Sequence, residues 1–308
     1  MNARRGLALV AAVTGAAAAA GCGFGAGPAS IGTATLSVTR DYGTTAMDAA
    51  SETDPRASET VLRFLDRNTD ITTRYGGGFV QSIDGLAGSV DGTRRSDWFF
   101  YVNGVESPVG ATGVRVRGGD RIWWDYRDWT SAMRVPAVVG SFPQPFEGSR
   151  KRVAVDCAGP HGPCDTVASA LHDAGVDVRV EPGLGRSGPV PRVLVGTWGR
   201  VGRDAAARQI DSGPGTSGVF ATFKGSRELD VLDTHGGTSA RLRAGAGLIA
   251  AVRLADDAPT WVVTGTDSVG VASAASLVGP DDLHNRYALA TNGTRAEPLP
   301  VVTAKAGS

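Results

Sequence analysis

The sequence has no excess of charge of either sign. It contains 31 Lys and Arg residues against 31 Asp and Glu residues, which gives a formal net charge of +0 at pH 7. The two signs are also mixed along the chain. Nucleic-acid binding depends on basic surfaces that neutralise phosphates, and a balanced, mixed chain indicates no such surface. Composition therefore predicts no nucleic-acid partner.

The chain also lacks an apolar run that spans a membrane comfortably. Residues 7–20 form an Ala-rich apolar run behind Arg4 and Arg5. A transmembrane helix needs about 20 apolar residues, so this run is too short. A basic start followed by a short apolar run is typical of a secretory signal peptide. We predict a signal peptide over residues 1–21, which would direct the protein out of the cytoplasm.

The end of this signal contains one of the few cysteines. Ala19-Ala20-Gly21-Cys22 resembles the lipobox of bacterial lipoproteins, in which the Cys is lipidated and becomes the first mature residue. Several acyl chains, an N-terminal palmitate among them, would give stable membrane attachment. The alternative is ordinary cleavage with Cys22 left free. The lipobox interpretation predicts a cell-membrane lipoprotein on the extracytoplasmic side, with a flexible tether over residues 22–33.

Cysteine is scarce, with 3 residues in the whole chain. If Cys22 carries lipid, Cys157 and Cys164 remain as a pair, with His161 between them. Outside the cytoplasm a disulfide is the expected state of such a pair. A metal site formed by Cys157, His161 and Cys164 is an alternative, but the sequence offers no fourth ligand for it. A redox-active pair is another, but its usual spacing is C-x-x-C, which these cysteines do not have. We predict a disulfide between Cys157 and Cys164.

Motifs of catalysis are weak. None of the 4 His residues lies beside a nucleophile motif such as G-x-S-x-G. The Gly-rich segment 183–188 superficially resembles a phosphate-binding loop, but no helix-forming run follows it. The Asp pairs at 256–257 and 281–282 lack the spacing of a calcium-binding loop. The sequence predicts a protein that is not an enzyme and has no metal site and no resident cofactor.

Aromatic residues, in contrast, are concentrated in one stretch. Residues 97–129 hold most of the Trp and Tyr, and residues 98–102 and 121–127 carry the aromatic and β-branched pattern of strands. Successive strand residues point to opposite faces. On the second strand, one face therefore carries Ile122, Trp124 and Tyr126 and is predicted to be core. The other face carries Trp123 among charged residues, and a partly exposed Trp123 ring is predicted there.

The same stretch carries a resemblance to a known family. Trp98-Phe99-Phe100-Tyr101-Val102-Asn103-Gly104 and residues 119–126 resemble the C-terminal domain of transcobalamin and intrinsic factor, and the related bacterial modules of the DUF4430 type. Residues 60–65 and 78–85 precede them in the order that this family shows. The resemblance covers about residues 34–130. It implies a β-grasp-like fold that holds a small soluble molecule, which in the vitamin carriers is cobalamin.

The predicted fold class is α+β. An N-terminal β-grasp-like domain over residues 34–130 has one helix on a mixed sheet; Asp54 is its predicted N-cap, and Val114 and Val116 supply an edge strand. A Pro-rich connection over residues 131–150 follows, with two Phe residues that suggest packing. Strand signals alternate with short helices in residues 151–301, including a helix at 205–210, which predicts a separate α/β domain of unknown role. Residues 302–308 are a tail.

Two functions remain open at this point. The first is a ligand-binding protein that holds a corrinoid, such as cobalamin, or another small molecule and delivers it to an uptake transporter. The candidate ligand-binding residues are aromatic and amide side chains suited to a large planar ligand, namely Tyr75, Tyr101, Asn103, Trp123 and Tyr126. The alternative is a cell-envelope protein-interaction module without a small ligand, in which exposed aromatic and Arg side chains, such as Trp123, Arg121 and Arg127, contact a protein.

Overall fold

A computed structural model describes residues 29–75, 77–149, 151–293 and 295–302. The predicted signal peptide, Cys22 and most of the predicted tether lie outside these residues, as do residues 303–308 of the predicted tail. The described chain is a mixed α+β structure, as expected, with many strands and few helices. Among the described residues, no helix combines the length and the apolar character that crossing a membrane requires.

The first half of the chain forms a mixed sheet with one short helix. Its elements are β1 (Thr33–Arg40), β2 (Thr45–Thr53), α1 (Val61–Asp66), β3 (Ile71–Arg74), β4 (Phe79–Ile83), β5 (Leu86–Ala87), β6 (Ser89–Asp91), β7 (Arg94–Val102), β8 (Val105–Glu106) and β9 (Arg121–Asp128). The main sheet has the order β2-β1-β9-β7-β6, and β8 pairs with β7. β1 and β9 are parallel neighbours, whereas β9 and β7 are antiparallel.

One face of this sheet is buried under α1. Alternation on β1 and β9 places Leu36, Val38, Ile122 and Trp124 in one apolar cluster with Phe64 of the helix. Full burial of each such side chain stabilises the fold by roughly 1.5–3 kcal/mol. The strand pattern of β7 and β9 and the core position of Ile122 and Trp124 are therefore confirmed.

Two local predictions in this half are wrong. The helix begins at Val61, and its N-cap is Thr60, whose hydroxyl accepts from the Arg63 N–H at 3.2 Å. Asp54 instead accepts from the Gly32 N–H at 2.8 Å, far from the helix. Val114 and Val116 form no edge strand, because their backbone groups bond to Val61 and Glu59 at the start of α1. The edges of the main sheet are β2 and β6.

The second half is built on a larger sheet. Its elements are β10 (Val153–Cys157), α2 (His161–Asp173), β11 (Val178–Pro182), β12 (Arg192–Thr197), α3 (Trp198–Val201), a 3-10 helix (Ala207–Ser212), α4 (Pro214–Ser217), β13 (Ala221–Lys224), β14 (Glu228–Leu232), β15 (Thr238–Leu242), β16 (Ala246–Val252), β17 (Thr260–Gly265), α5 (Ser268–Ala275), α6 (Pro280–Leu283), β18 (Ala288–Asn292) and β19 (Arg295–Leu299). The predicted helix at 205–210 is thus a 3-10 helix shifted by two residues.

The seven strands of that sheet follow the order β11-β10-β12-β17-β16-β18-β19. β11, β10, β12 and β17 are parallel, and the remaining pairs are antiparallel. α2 and α5 share one apolar cluster on the same face of the sheet. α3, the 3-10 helix and the small antiparallel sheet β13-β14-β15 belong to the cluster on the other face. Layers of helix and strand are present here, as predicted.

The connection between the halves is packed and largely buried. Val138 donates its N–H to the carbonyl of Gly104 at 2.9 Å, and Val139 donates to the carbonyl of Tyr287 at 3.4 Å. Phe142 and Phe146 pack on Trp261, with ring centroids 6.2 and 5.0 Å apart. The expectation that the two Phe residues pack on the protein is confirmed.

The two halves share one of the three clusters of buried side chains among the described residues. One cluster of buried side chains includes Tyr42, Tyr101 and Trp123 from the first half together with Phe220 and Tyr287 from the second. The separate α/β domain over residues 151–301 stays a prediction. The shared cluster forms because the first sheet has two apolar faces, and α1 covers only one of them.

Cys157 and Cys164 are bonded to each other, which confirms the predicted disulfide. The bond joins the end of β10 to the first turn of α2. Cys164 lies in the same cluster as Val167 and Leu171 of α2. The pair therefore has a structural position, between a central strand and its covering helix.

Reduction of this disulfide should lower stability, because the bond limits the freedom of the unfolded chain. For so short a loop we expect a loss of about 2 kcal/mol in the free energy of unfolding for Cys157→Ser with Cys164→Ser. Urea unfolding of the wild type and the double variant measures it, and a reductant should then affect only the wild type. Equal midpoints for the two proteins would contradict this expectation.

Candidate functional site

The second face of the first sheet forms a seam with the second half. We define the seam as the layer of Tyr42, Tyr101, Trp123, Phe220 and Tyr287, which pack together in one cluster. Its centre is Tyr287, whose ring lies 5.1 Å from Trp123 and 5.7 Å from Tyr101 in edge-on arrangements. Such aromatic pairs contribute about 0.5–1.5 kcal/mol each beyond the area that they bury.

Trp123 lies inside the seam and not at the surface. Only 2% of it is exposed, and its indole N–H donates to the Thr39 hydroxyl at 2.8 Å. The predicted partly exposed ring is therefore wrong. The charged neighbours Asp125 and Arg127 suggested a solvated face, but both are themselves buried. Asp125 bonds to Tyr287 of the second half, and Arg127 bonds to the connection at Ala132.

Asp125 is the polar centre of the seam. Its carboxylate accepts from the Thr39 hydroxyl at 2.6 Å, the Gly43 N–H at 3.0 Å and the Tyr287 hydroxyl at 2.9 Å. Tyr101 donates in turn to the Tyr287 oxygen at 3.3 Å. Burial raises the pKa of Asp125 to about 6, and the three donors and Arg127 oppose this shift. The network links β1, β9 and the second half.

The Arg127 side chain is also held by several contacts. Its guanidinium lies 3.8 Å from the centre of the Phe99 ring and donates to the carbonyl oxygens of Ala132 at 2.7 Å and Met133 at 3.2 Å. Glu106 lies 3.9 Å away. The side chain is fully buried, so stacking and hydrogen bonds stabilise its charge. Arg127 therefore holds the connection to the first sheet and is not available to a protein partner.

An open cleft lies at the margin of the seam. It encloses about 540 Å³ and is bounded by the turn after β1, the β6–β7 hairpin, the end of β9 and two residues of the second half. We call it the polar cleft. Its lining residues are Arg40, Asp41, Tyr42, Thr44, Thr45, Ser89, Asp91, Arg94, Ser96, Tyr126, Asp128, Thr234 and Val302.

The turn that forms one wall of the cleft is fixed by close packing. Asp41, Tyr42 and Gly43 all have positive φ, at 58°, 59° and 78°. A Cβ at Gly43 would overlap the carbonyl oxygen of Asn285 in the second half, so only glycine fits there. The same residue donates its N–H to Asp125. The wall of the cleft and the centre of the seam are thus held by one turn.

Charged groups of both signs meet in the polar cleft. The Arg94 Nε lies 3.5 Å from Asp128 Oδ2. That oxygen is buried and accepts no hydrogen bond from the described residues. Buried polar atoms in folded proteins almost always have a partner, and here the Arg94 guanidinium supplies the opposite charge. Tyr126 lies beside this pair, and its hydroxyl contacts Ser89 at 2.8 Å.

Comparison with known proteins adds one firm assignment. Residues 58–128 match the model of DUF4430, a domain of unknown function. The matched segment runs from just before α1 to the end of β9 and so includes most of the cleft residues contributed by the first half. No curated protein sequence matches the chain significantly.

The match to a solved structure is weaker than the match to the family model. A crystal structure from Ruminococcus gnavus, described as a "putative metal binding protein", matches with 17% identity and a TM-score of 0.25. The match covers 32% of this chain and 97% of that chain. At this level the likeness supports no argument about this protein. Within the described ranges, no three His, Cys, Asp or Glu side chains are grouped so that they could hold a metal ion.

The five predicted ligand-binding residues do not form one site. Tyr126 lines the polar cleft of the DUF4430 segment, whereas Tyr101 and Trp123 are buried in the seam. Asn103 follows the far end of β7, donates to Asp120 at 2.8 Å and lines a different cavity of about 440 Å³. Tyr75 is 87% exposed on the turn after β3. A planar ligand stacked between Tyr101 and Trp123 would have to displace the second half.

Several cleft residues were not found from the sequence. Arg94 and Ser96 belong to β7, which begins four residues before the predicted start at residue 98. Asp128 continues the alternation of Ile122, Trp124 and Tyr126 by one more step along β9. Extending that pattern past Tyr126 was the one signal that could have indicated Asp128. Thr234 and Val302 reach the cleft only through the tertiary fold.

The raised pKa of Asp125 predicts a pH dependence of stability. A carboxyl group that binds its proton more tightly in the folded than in the unfolded state stabilises the fold most when protonated. The free energy of unfolding should therefore fall by about 2 kcal/mol between pH 4 and 6 in the wild type, relative to Asp125→Asn. Urea unfolding across this pH range measures the difference. The exposed Asp48→Asn variant should follow the wild type, and parallel curves for wild type and Asp125→Asn would rule the effect out.

Proposed function

We propose that this protein is an extracytoplasmic lipoprotein, anchored through Cys22, whose DUF4430 segment holds a small polar ligand in the polar cleft. The cleft carries the proposal: it is concave, encloses about 540 Å³, and combines Arg94 and Arg40 with Asp128 and Asp91. Ligand pockets commonly have volumes of roughly 300–1,000 Å³ and orient the ligand with a few polar groups. The proposed role is binding without catalysis.

The residues that line the cleft indicate a class of ligand and do not single out one compound. Hydroxyl groups from Thr44, Thr45, Ser89, Ser96 and Thr234 surround the charged pair. Such a lining combines hydroxyl donors and acceptors with the ion pair of Arg94 and Asp128. It suits a compound that presents amide, hydroxyl or ammonium donors next to an accepting or anionic group.

A corrinoid is the specific ligand that the family resemblance implies. Its ring carries amide side chains at the periphery, and these match the donors and acceptors of the polar cleft. The ring face itself has no place between Tyr101 and Trp123, because both are buried in the seam. We therefore propose binding through the amide periphery, at the rim of the cleft, with delivery to an uptake transporter as the physiological role.

The strand arrangement is consistent with this proposal. We propose a β-grasp-like fold for the first half; the order β2-β1-β9-β7-β6, with parallel β1 and β9 and a helix that follows the first hairpin, supports it. In this chain the second half covers the face that α1 leaves open. We propose that the second half acts as a supporting lobe and contributes Thr234 and Val302 to the cleft.

One surface favours the alternative role as an interaction module. Phe79 and Val90 are exposed by 41% and 72%, and they line a shallow cavity of about 220 Å³ with Trp129. Arg95 lies over the Trp129 ring, 5.6 Å from its centre. Aromatic and Arg side chains together are typical of protein-binding surfaces. This patch, and not Trp123 with Arg127, is the surface on which a protein partner would bind.

Calorimetric titration with cobalamin and with cobinamide tests the ligand proposal. The protein is the non-lipidated chain that begins at Gly23. We expect saturable binding of the wild type, weakened roughly 10-fold to 100-fold in Arg94→Gln and Asp128→Asn, because each removes a charged hydrogen-bonding group. Arg63→Gln and Asp48→Asn change exposed residues outside the lining of the cleft and are the matched controls. Both variants should bind the ligand as the wild type does.

Two outcomes would contradict the proposal in different ways. Equal weakening in cleft and control variants would show that binding occurs elsewhere. Absence of heat and of any thermal shift with both corrinoids would remove the corrinoid ligand. If a panel of free amino acids and polyols also produced no shift, the small-ligand role would be wrong and the patch of Phe79, Val90 and Trp129 would become the leading candidate.

A further inference from the structure

The larger sheet has one stretch of open face. On β10 and β11, Val153, Val155, Val178 and Val180 point to the face that α2 covers. The alternate positions point the other way, and the register pairs Ala154 with Arg179 and Asp156 with Glu181. In the described part of the chain, no helix lies between β11 and β12 to cover these positions, because the loop of residues 183–191 connects the two strands.

That open face is the floor of a groove. The groove encloses about 650 Å³ between β10, β11 and the loop, and we call it the basic groove. Arg192 is buried at its base, where its guanidinium donates to Asp156 at 3.1 Å, to Asp204 at 2.7 Å and to the carbonyl of Gly185 at 2.8 Å. Gly185 also donates its N–H to Asp156 at 3.0 Å. The loop is therefore fastened to the sheet, and the groove has rigid walls.

Basic side chains predominate around the groove. Its lining contains the basic residues Lys151, Arg152, Arg179, Arg186 and Arg192, against the acidic residues Asp156 and Glu181. The buried Arg192 is neutralised by its partners, which leaves four exposed cations at the rim. Among the described residues, Lys151 and Arg186 form no ion pair.

The two rim arginines that have partners are held only weakly. Arg152 pairs with Asp177 and Arg179 with Glu181, both at 3.0 Å, and all four side chains are substantially exposed. Exposed ion pairs of this kind contribute about 0–1 kcal/mol. An incoming anion with several negative charges can therefore compete for these arginines.

We propose that the basic groove binds a polyanion through phosphate-type groups. Guanidinium groups bind phosphate oxygens in a bidentate manner, and several cations around one concavity favour a ligand with two or more negative charges. Charged residues on an edge strand can also serve to prevent pairing with a strand of another molecule. That role alone does not explain why basic residues predominate around a cavity with fixed walls. The groove is distinct from the polar cleft, so this inference does not rest on the proposed corrinoid binding.

Calorimetric titration with inorganic pyrophosphate and tripolyphosphate tests the groove. We expect saturable binding of the wild-type chain, weakened about 100-fold in Arg179→Gln with Arg186→Gln, since each of the two lost charged contacts is worth about one power of ten. The control is Arg243→Gln with Arg295→Gln, which removes two exposed arginines elsewhere and should leave binding unchanged. The affinity for pyrophosphate should also fall as the salt concentration is raised from 50 to 200 mM, because salt screens the attraction between exposed charges.

The source of the phosphate groups is distinguished in a second experiment. Vesicles of phosphatidylglycerol with phosphatidylcholine, and of phosphatidylcholine alone, are sedimented with the non-lipidated chain. Retention on the anionic vesicles, released by pyrophosphate, would identify a lipid headgroup; pyrophosphate binding without retention would identify a soluble compound. Absence of binding in both experiments, or equal weakening in the groove and control variants, would overturn the proposal. Arg94→Gln should leave pyrophosphate binding unchanged, which separates this test from that of the polar cleft.

Discussion

The hydrogen bond from Tyr287 to Asp125 joins the two halves of the protein at the point on which the rest of the fold depends. It buries a carboxylate that also holds β1 through Thr39 and the adjoining turn through Gly43. Around it, Tyr101 and Trp123 pack on the same Tyr287 ring. An unpaired carboxylate at this depth would be strongly destabilising, so the three donors and the aromatic shell are required together. The first sheet is consequently buried on both faces.

This arrangement decides where ligands can bind. The aromatic residues that would suit a planar ligand are buried between the two halves. The charged and polar side chains that remain accessible lie in cavities outside the seam. The polar cleft forms where the alternation of β9 passes from core residues to Tyr126 and Asp128. The basic groove forms where a loop replaces a covering helix on the larger sheet. The cleft has charges of both signs and the groove is predominantly basic, so the ligands that we propose for them differ.

Periodicity predicted the parts of the fold that depend on neighbouring residues. The strands around Trp98 and Trp123 and the core positions of Ile122 and Trp124 follow from local pattern, and the disulfide was predicted from the spacing of the cysteines and an expected extracytoplasmic location. β2 was not predicted because its sequence TAMDAASET lacks apolar alternation, and pairing with β1 makes it a strand. The burial of Trp123 depends on Tyr287, more than 100 positions away along the chain, which no local pattern reveals. Tyr126 was predicted as a ligand-binding residue and lines the polar cleft, whereas Thr234 reaches that cleft through a contact that no local pattern indicates.

The central claim is that the seam unites both halves into one cooperative unit. Equilibrium urea unfolding followed by Trp fluorescence and by far-ultraviolet circular dichroism tests it most directly. We expect one coincident transition in the wild type. Tyr287→Ala should lower the midpoint or separate the two signals, whereas Tyr287→Phe, which keeps the ring, should lower it less. Two well-separated transitions in the wild type, or an unchanged midpoint in Tyr287→Ala, would contradict the account.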